Sequence, residues 1–439
     1  MKTFNLFLLP LIAGMVTFTG CKHDHDAAPS PGKADFSRYI AVGNSLTSGF
    51  ADGGLYLEGQ QNSYPGIIAK QLQQAGGGAF AQPLFTEAQA NGSGYLKVSA
   101  IEKDGSPKIE QVNTNLAVRG QINVPPVGDV ILYTKYTGEL NNYGVPGIKL
   151  RDITLAPYGN FNGFFERLLP VNAPGNTTSY LDFITAKPFT FFTNWLGNND
   201  ALAFATSGGT GDVLTDKAVF AQLYKLSVEK LTAAGQKGVV ATIPDITSIP
   251  FLNTVTIAKI LAGVQKVNPE AKALYVDAIV SGTDHEARVA TNKDLVILTF
   301  DVNRIGQPVI TPQGSLPYGL TPYTPIENKF VLDEKEAAMA TDYVVSFNSS
   351  IKAAAAEKGL AVFDAFTFLN EVKTHGLQVN GLKLTVDFFT GGIFSLDGVH
   401  LTPRGYAVIA NEFIKAINEK YKSSVPLVNV ADYRAVKLP

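Results

Sequence analysis

Short β-rich segments alternate with longer amphipathic segments along this chain, and no other feature constrains its fold as strongly. The strand-like segments cover 38–42, 189–196, 238–243 and 360–364. The helix-like segments cover 63–76, 215–234, 333–357 and 402–421. Strands that alternate with helices pair in parallel through right-handed crossovers. We therefore predict a three-layer α/β/α fold around a parallel sheet of about five strands, a common sheet size.

Apolar residues at helical spacing predict which side of two helices faces the core. Ser63 is in position to cap the first helix, and Pro65 suits its first turn. The inner side of this helix is predicted to consist of Ile67, Ile68, Leu72 and Ala75. In segment 215–234, the residues expected to face inward are Leu223, Leu226 and Leu231.

Three stretches interrupt the alternation, at 76–139, 246–328 and 366–394, and we interpret them as insertions in one domain that covers 36–439. Asp104-Gly105 and Asn380-Gly381 each lie between strand-like segments, which predicts two β-hairpins. Stretch 246–328 is expected to contain short helices and a segment rich in Pro and Gly. The first two stretches are expected to shape the pocket of a functional site.

The N-terminus has the features of a secretory signal over residues 1–21. Lys2 is followed by a mainly apolar segment, 4–18, and by small residues. This segment is too short for a transmembrane helix. The ending Phe-Thr-Gly-Cys resembles a bacterial lipobox, which implies lipidation of Cys21 and anchoring in the cell envelope, at the outer membrane and facing its surface. The alternative is an ordinary secreted protein with an isolated cysteine. Polar residues 22–35 are predicted to form a flexible tether.

Composition excludes several classes of function. The 36 Lys and Arg residues balance 38 Asp and Glu residues, so the net charge of −2 provides no electrostatic surface for nucleic acid. Cys21 is the only cysteine, which excludes an internal disulfide and a cysteine-based zinc site. No cofactor or metal is predicted, and the sequence leaves the oligomeric state open.

Four short motifs follow one another at predicted strand ends and before the last helix. They are Gly43–Leu46 (GNSL), Asn142–Gly147 (NYGVPG), Gly197–Asp200 (GNND) and Asp397–His400 (DGVH). An α/β sheet binds its ligands outside the carboxyl ends of its strands. Each motif alone has little specificity, but four in order are far more specific, so we expect the motifs to form one site.

The residues of these motifs favour nucleophilic catalysis by a serine. A serine hydroxyl needs a neighbouring base to remove its proton, and histidine is the usual base. Beyond residue 35 the histidines are His285, His375 and His400, and only His400 follows a carboxylate by three residues, Asp397. In a tight loop this spacing directs the carboxylate to one ring nitrogen and leaves the other for Ser45. His285 lacks the second histidine of a zinc-protease helix, and His375 has no evident partner.

The ordered motifs resemble those of the SGNH hydrolases, also called GDSL esterases and lipases, over about residues 38–421. The run YIAVGNSLTSGFADGGLY after a lipobox is similar to Bacteroidetes lipoproteins of that superfamily. The resemblance implies a flavodoxin-like three-layer fold and hydrolysis of a carboxylic ester without a cofactor. It also implies a catalytic triad of Ser45 as nucleophile, His400 as general base and Asp397 as the carboxylate that orients it.

The same resemblance implies an oxyanion hole made of two backbone N–H groups and one side-chain amide. The N–H groups would belong to Ser45 and Gly147, and the amide to Asn199. One departure is Asn44, which replaces the Asp of the GDSL motif. Asn can hold the same turn by hydrogen bonds, but the charge is lost.

The motifs do not define the substrate, because the superfamily includes acyl-lipid esterases, carbohydrate deacetylases and thioesterases. The first alternative to a lipase-like esterase is therefore a carbohydrate O-acetyl esterase. The second is a surface-binding lipoprotein that kept the fold and lost turnover, and Asn44 is the only feature in its favour. Trp195, the single tryptophan, is predicted to be a buried strand residue and a candidate wall of the pocket.

Overall fold

The computed structural model describes residues 28–439. The signal segment, Cys21 and the first part of the tether lie outside the described residues, so their roles stay predictions. Ser30 and Lys33, from the last part of the predicted tether, donate backbone hydrogen bonds to Ser424 and Tyr421. Among the helices of residues 28–439, none has the length and apolar character needed to cross a membrane.

Five parallel strands form the central sheet. In chain order they are β1 (Tyr39–Gly43), β2 (Asn142–Gly144), β3 (Phe191–Trp195), β4 (Lys237–Ala241) and β5 (Ala361–Phe363). Their order across the sheet is β2-β1-β3-β4-β5. This is the flavodoxin-like order, in which the winding direction reverses beside β1 and creates a crevice there. The predicted fold class is confirmed. Strand β2 was not predicted, because three residues are too few to show a pattern.

Helices cover both faces of the sheet. They are α1 (Ser45–Ser48), α2 (Tyr64–Gln74), α3 (Asn199–Thr206), α4 (Lys217–Leu231), α5 (Glu334–Glu357) and α6 (Pro403–Tyr421). Helices α2 and α6 pack together, and the rings of Tyr64 and Phe413 stack between them at 4.8 Å. Helices α4 and α5 form the other pair, with Phe220 stacked on Phe347 at 3.8 Å.

The predicted inner face is confirmed for α2 and only in part for α4, where Leu231 is buried as expected. All four predicted residues of the α2 segment are buried. In α4 the buried apolar side chains are Phe220, Tyr224, Val228 and Leu231, whereas Leu223 and Leu226 are only half-buried. The two large rings at four-residue spacing define the face and rotate it away from Leu223 and Leu226. Ser63 occupies the N-cap position of α2, but its hydroxyl donates to Gln82 Oε1 instead of capping.

Both predicted hairpins are confirmed, Tyr95–Ile101 with Pro107–Val112 and Leu377–Val379 with Leu382–Leu384. Asn380 and Gly381 have φ of +48° and +77°, as a two-residue hairpin turn requires. Three further hairpins were not predicted. They pair Val118–Val124 with Gly128–Tyr133, Tyr275–Ser281 with Asp284–Val289, and Pro308–Thr311 with Gly314–Pro317.

The remaining elements are short. The α-helices are Leu57–Gln61, Gly163–Glu166, Tyr180–Thr185, Pro250–Asn253, Ile257–Gln265 and Ala365–His375. The 3₁₀ helices are Glu87–Gln89, Leu150–Asp152, Ala156–Asn160, Ile246–Ser248, Val302–Arg304, Asn328–Phe330 and Val430–Asp432. Leu295–Val296 pairs with Val331–Leu332.

Strand β2 lies against α1 with a glycine at the point of contact. A Cβ on Gly144 would lie 2.3 Å from the backbone nitrogen of Ser48 and 2.7 Å from the carbonyl carbon of Thr47. Both neighbours are backbone atoms, which cannot turn aside as a flexible side chain would. The residue at position 144 therefore fixes how closely α1 approaches the sheet.

We expect Gly144→Ala to lower the free energy of unfolding by about 1–3 kcal/mol, the usual cost of forcing extra volume into a packed interior. Urea denaturation measures it. Gly263→Ala is the matched control, because Gly263 is helical and no atom lies within 4 Å of its added Cβ. The control is expected to be neutral or stabilising by about 0.5–1 kcal/mol. Equal effects of the two substitutions would contradict the contact.

Candidate active site

Ser45 lies at the carboxyl end of β1, in the first turn of α1. Asn44 is the N-cap of this one-turn helix, and its Oδ1 accepts the backbone N–H of Leu46 at 3.1 Å. The helix ends at Gly49, which has φ of +84°. Asparagine caps helices as well as aspartate does, so Asn44 supports the turn without a charge. Ser45 is thus held at the crevice that the strand order creates.

The DGVH motif forms a tight loop between strand-like residues. Ser395 N–H donates to His400 O at 2.8 Å, and a bridge pairs Phe394 with Leu401. Gly398 has φ of +70°, a conformation that residues other than glycine rarely adopt. Thr402 then caps α6, its Oγ1 accepting the N–H of Gly405 at 3.0 Å. The loop therefore has one defined shape.

The structure brings Ser45, His400 and Asp397 together in a hydrogen-bonded chain. His400 Nδ1 lies 2.7 Å from Asp397 Oδ2, and His400 Nε2 lies 2.8 Å from Ser45 Oγ. Ser45 and His400 are 355 positions apart in the sequence. The ring of Phe50 packs on the imidazole with centroids 4.6 Å apart. Phe50 was not predicted as part of the site, because an isolated aromatic residue carries no sequence signal for such a contact.

Asp397 is the acceptor of several hydrogen bonds besides the one to the His400 ring. Its Oδ1 accepts from Val399 N–H at 2.9 Å, His400 N–H at 2.8 Å and Ser395 Oγ at 3.1 Å. Its Oδ2 accepts from Gly53 N–H at 2.8 Å. Burial raises the pKa of Asp397, but the attraction of His400 and these hydrogen bonds outweigh burial and hold that pKa well below its ordinary value. Asp397 is therefore ionised at neutral pH.

The other predicted site residues lie on loops that are hydrogen-bonded to the end of β1 or to each other. Val145 N–H donates to Gly43 O at 3.0 Å, which holds the NYGVPG loop against β1. Asn199 Nδ2 donates to Ile148 O at 2.9 Å, beside Gly147. Gly147 has φ of +82° and is exposed. Among residues 28–439, none accepts a hydrogen bond from the backbone N–H of Ser45 or Gly147, so both N–H groups are free to bind a ligand.

Asp200, the last residue of the GNND motif, fixes the Asn199 loop, a role that the sequence did not indicate. Its Oδ2 accepts Leu150 N–H at 2.7 Å, and its Oδ1 accepts the Thr215 hydroxyl at 2.6 Å. Burial raises the pKa of Asp200 to about 6. Asp200 therefore joins the two loops that carry Gly147 and Asn199.

A largely apolar pocket opens beside Ser45 and His400. Trp195 is almost completely buried, lines this pocket and donates from Nε1 to Thr242 O at 3.0 Å, so both expectations for it are confirmed. The other apolar lining residues include Leu202, Ile246, Ile249, Leu369 and Phe394. Stretches 246–328 and 366–394 thus contribute to the wall. The described lining includes no residue of 76–139, contrary to expectation.

His285 and His375 have other partners. His285 lies on an exposed hairpin, with Nδ1 3.9 Å from Asp277 Oδ1 and in contact with the Asn328 amide. His375 ends the helix Ala365–His375, and its Nε2 lies 3.6 Å from Glu371 Oε2. Within the described part of the chain, no group of three or more His, Cys, Asp or Glu residues is arranged to hold a metal ion.

Comparisons with known proteins give only distant similarities. No family model matches the chain, and no curated protein matches it. One similar solved structure is LAE5, an alpha/beta hydrolase enzyme from the metagenome of Lake Arreo, Spain, with 10% identity, a TM-score of 0.37 and coverage of 88% of this chain and 96% of that one. Another is an extracellular lipase from Streptomyces rimosus, with 11% identity, a TM-score of 0.31 and coverage of 87% and 98%. Values of this size do not assign a function.

Because the pKa of Asp397 is lowered in the folded protein, the contribution of this carboxylate to the free energy of unfolding should depend on pH. A carboxyl whose pKa is lower in the folded protein stabilises the fold above its unfolded pKa of about 4, and this contribution is lost as pH falls towards the folded value. We expect Asp397→Asn to be less stable than the wild type at pH 7, on the order of 1–3 kcal/mol, because two donors to Oδ2 lose their acceptor. The difference should shrink below about pH 4. Urea denaturation at several pH values measures it.

Asp284→Asn is the control for this series, because Asp284 is exposed on a hairpin and its side chain has no hydrogen-bond partner among the described residues. It should follow the wild type at every pH. A stability difference between Asp397→Asn and the wild type that stays constant from pH 7 to pH 3 would show that the Asp397 charge is not the stabilising feature.

Proposed function

We propose that this protein is a serine hydrolase of the SGNH (GDSL) type that cleaves carboxylic esters through an acyl-serine intermediate. The observation that carries the proposal is the hydrogen-bonded chain from Ser45 through His400 to Asp397, with distances of 2.8 and 2.7 Å. A serine, a histidine and a buried carboxylate in this arrangement can activate the hydroxyl as a nucleophile. No cofactor takes part in the proposed reaction.

In the first half of the reaction, Ser45 Oγ bonds to the ester carbonyl carbon while its proton passes to His400 Nε2. The carbonyl oxygen becomes an oxyanion and accepts hydrogen bonds from the N–H groups of Ser45 and Gly147 and from the side-chain amide of Asn199. One such donor contributes about 3–4 kcal/mol to the transition state in comparable sites. The bond to the leaving alcohol oxygen then breaks, and His400 returns the proton to that oxygen.

In the second half, water attacks the acyl-serine while His400 Nε2 takes a proton from the water. The acyl–oxygen bond breaks, the carboxylic acid leaves and the proton returns to Ser45. Asp397 accepts the hydrogen bond from His400 Nδ1–H throughout, which keeps Nε2 available to Ser45 and stabilises the imidazolium form. Asp397 therefore acts by orientation and charge.

The apolar pocket beside Ser45 supports an ester whose acyl or alcohol part is apolar, such as a lipid or a short-chain ester. Binding of apolar ligands in such a pocket removes apolar surface from water. The rival activity is that of a carbohydrate O-acetyl esterase, and the non-catalytic rival is a binding lipoprotein. Turnover of p-nitrophenyl acetate, butyrate and laurate beside acetylated xylan, with protein from residue 33 onward, separates these three.

We expect Ser45→Ala and His400→Ala each to lower the turnover of p-nitrophenyl ester about 10⁶-fold, because the triad acts as a unit. Asp397→Ala should retain more activity, with a loss of roughly 10⁴-fold. Steady-state kinetics of the purified variants measures these losses. A fluorophosphonate probe should label wild-type protein and leave Ser45→Ala unlabelled.

His285→Ala and His375→Ala are the matched controls and should keep wild-type kcat/KM at every pH. The ascending limb of the pH profile should depend on His400 alone. Fluorophosphonate labelling that persists in Ser45→Ala, or an ascending limb that disappears in His285→Ala, would contradict the assigned roles.

We also propose that Cys21 is lipidated and anchors the enzyme in the cell envelope, at the outer membrane and facing its surface. The support is the lipobox-like ending of a signal segment and the single cysteine at that position. Stable membrane binding of such a protein requires more than one acyl chain, as a lipidated N-terminal cysteine carries. The anchor would place the enzyme near lipid or polymer esters outside the cytoplasm.

We expect Cys21→Ala to move the full-length protein from the membrane fraction to the soluble fraction, because the acyl chains need the thiol. Immunoblots of fractionated cells measure the distribution, and Ser45→Ala, which keeps the thiol, is the control that should stay in the membrane fraction. Wild-type protein already found in the soluble fraction would contradict the anchor.

A further inference from the structure

Asp52 lies in an unusual backbone conformation close to Asp397. It has φ of +52°, in the left-handed region, and it is buried, with 6% of its surface exposed. Residues other than glycine rarely adopt this conformation, and where they do, the surrounding contacts over-determine it. Asp52 belongs to none of the four motifs, so a different constraint holds it there.

The backbone of this turn supports Asp397 through two successive amides. Gly53 N–H donates directly to Asp397 Oδ2 at 2.8 Å. Asp52 N–H donates to Ser395 Oγ at 2.9 Å, and that hydroxyl donates to Asp397 Oδ1 at 3.1 Å. Asp52 and Gly53 both have left-handed backbone, and their successive N–H groups point to the loop that carries Asp397. The turn thus directs one N–H at the Asp397 carboxylate and the other at the hydroxyl that donates to it.

The Asp52 side chain supports the same loop from the other direction. Its Oδ1 accepts the N–H of Leu396, the residue before Asp397, at 3.0 Å. Its Oδ2 accepts the hydroxyl of Tyr56 at 2.7 Å. Each oxygen of the Asp52 carboxylate thus accepts one hydrogen bond. An amide has a single oxygen and could accept only one of the two in this geometry.

Further groups hold Tyr56 in turn. Arg434, near the C-terminus, donates from Nη2 to the Tyr56 hydroxyl at 3.4 Å and from Nε to Glu58 Oε1 at 2.5 Å. The charged and titratable groups that face Asp52 are Asp397, Tyr56, Arg434, Tyr95 and Tyr406. Asp52 repels the charge of Asp397, so its position close to that carboxylate is costly for stability alone.

We propose that Asp52 is a positioning residue, which fixes the Ser395–Asp397 loop so that Asp397 holds the His400 ring in line with Ser45. The inference rests on the proposed ester hydrolysis. Asp52 touches neither Ser45 nor His400 by hydrogen bond and acts through Asp397. Its loss would misplace the ring while leaving the binding pocket intact.

The test compares Asp52→Ala, Asp52→Asn and Tyr56→Phe in kcat, KM and the pH profile of kcat/KM with p-nitrophenyl acetate. Asp52→Ala should lower kcat about 10–100-fold, the size of effect that a misplacement of about 1 Å produces, with KM within about twofold. Asp52→Asn keeps an acceptor for Leu396 N–H and should recover part of the loss. The ascending limb should move to lower pH in Asp52→Ala, because a poorly held Asp397 stabilises imidazolium less.

Asp216→Ala is the control for general destabilisation, because Asp216 caps α4 and lies on an exposed helix end. It should lower the thermal midpoint and leave kcat unchanged. Wild-type kcat in folded Asp52→Ala or Asp52→Asn overturns the inference, as does a loss of activity that only follows the thermal midpoint. If Asp52→Ala does not fold, Asp52→Asn and Tyr56→Phe decide. Turnover retained in Ser45→Ala would instead refute the proposed function, so the two failures are distinguishable.

Discussion

The candidate site depends on the pairing of β1 with a parallel strand on each side. Gly43 at the end of β1 is level with Gly144 of β2 and with Trp195 of β3. The three strands therefore end side by side, and the segments that follow them emerge at one edge of the sheet. Because the strand order reverses at β1, no crossover helix covers this edge, and the crevice stays open.

The fourth motif comes to the same edge from a distant part of the chain, and electrostatics explains why its loop stays there. A buried carboxylate is unfavourable unless hydrogen-bond donors surround it. Asp397 accepts from the His400 ring, from two N–H groups of its own loop, from Ser395 and from Gly53 in the segment after α1. The contact with Gly53 links the segment after α1 to the loop before α6. The hydrogen bonds to Asp397 therefore both hold this loop in place and orient His400.

The sequence contained enough information to predict the fold class and the contact between Ser45, His400 and Asp397, because both leave local patterns. Alternating segments predicted the parallel sheet, and Asn380-Gly381 predicted its hairpin from turn chemistry alone. The spacing of Asp397 and His400 predicted a contact that a tight loop can make. These features depend on residues that are close in sequence, and periodicity and motif spacing describe such residues well.

The rest could not be predicted, because it depends on contacts between distant segments. The inner face of α4 is set by Phe220 packed on Phe347 of another helix, so leucine spacing identified Leu231 correctly and missed the large rings. Strand β2 exists only because β1 pairs with it. The roles of Asp52 and Phe50 arise from a loop that lies more than 300 positions away in the sequence. Residue type and local spacing do not predict such contacts.

The central claim is that Ser45 carries the acyl group during ester cleavage, and peptide mass spectrometry tests it most directly. Wild-type protein would be mixed with p-nitrophenyl butyrate, quenched in acid within the first turnover and digested. We expect one peptide whose mass increases by a butyryl group, with the modification at Ser45, and no such peptide once the ester is exhausted. Rapid ester cleavage without any acylated Ser45, or with the acyl group on a different residue, would contradict it.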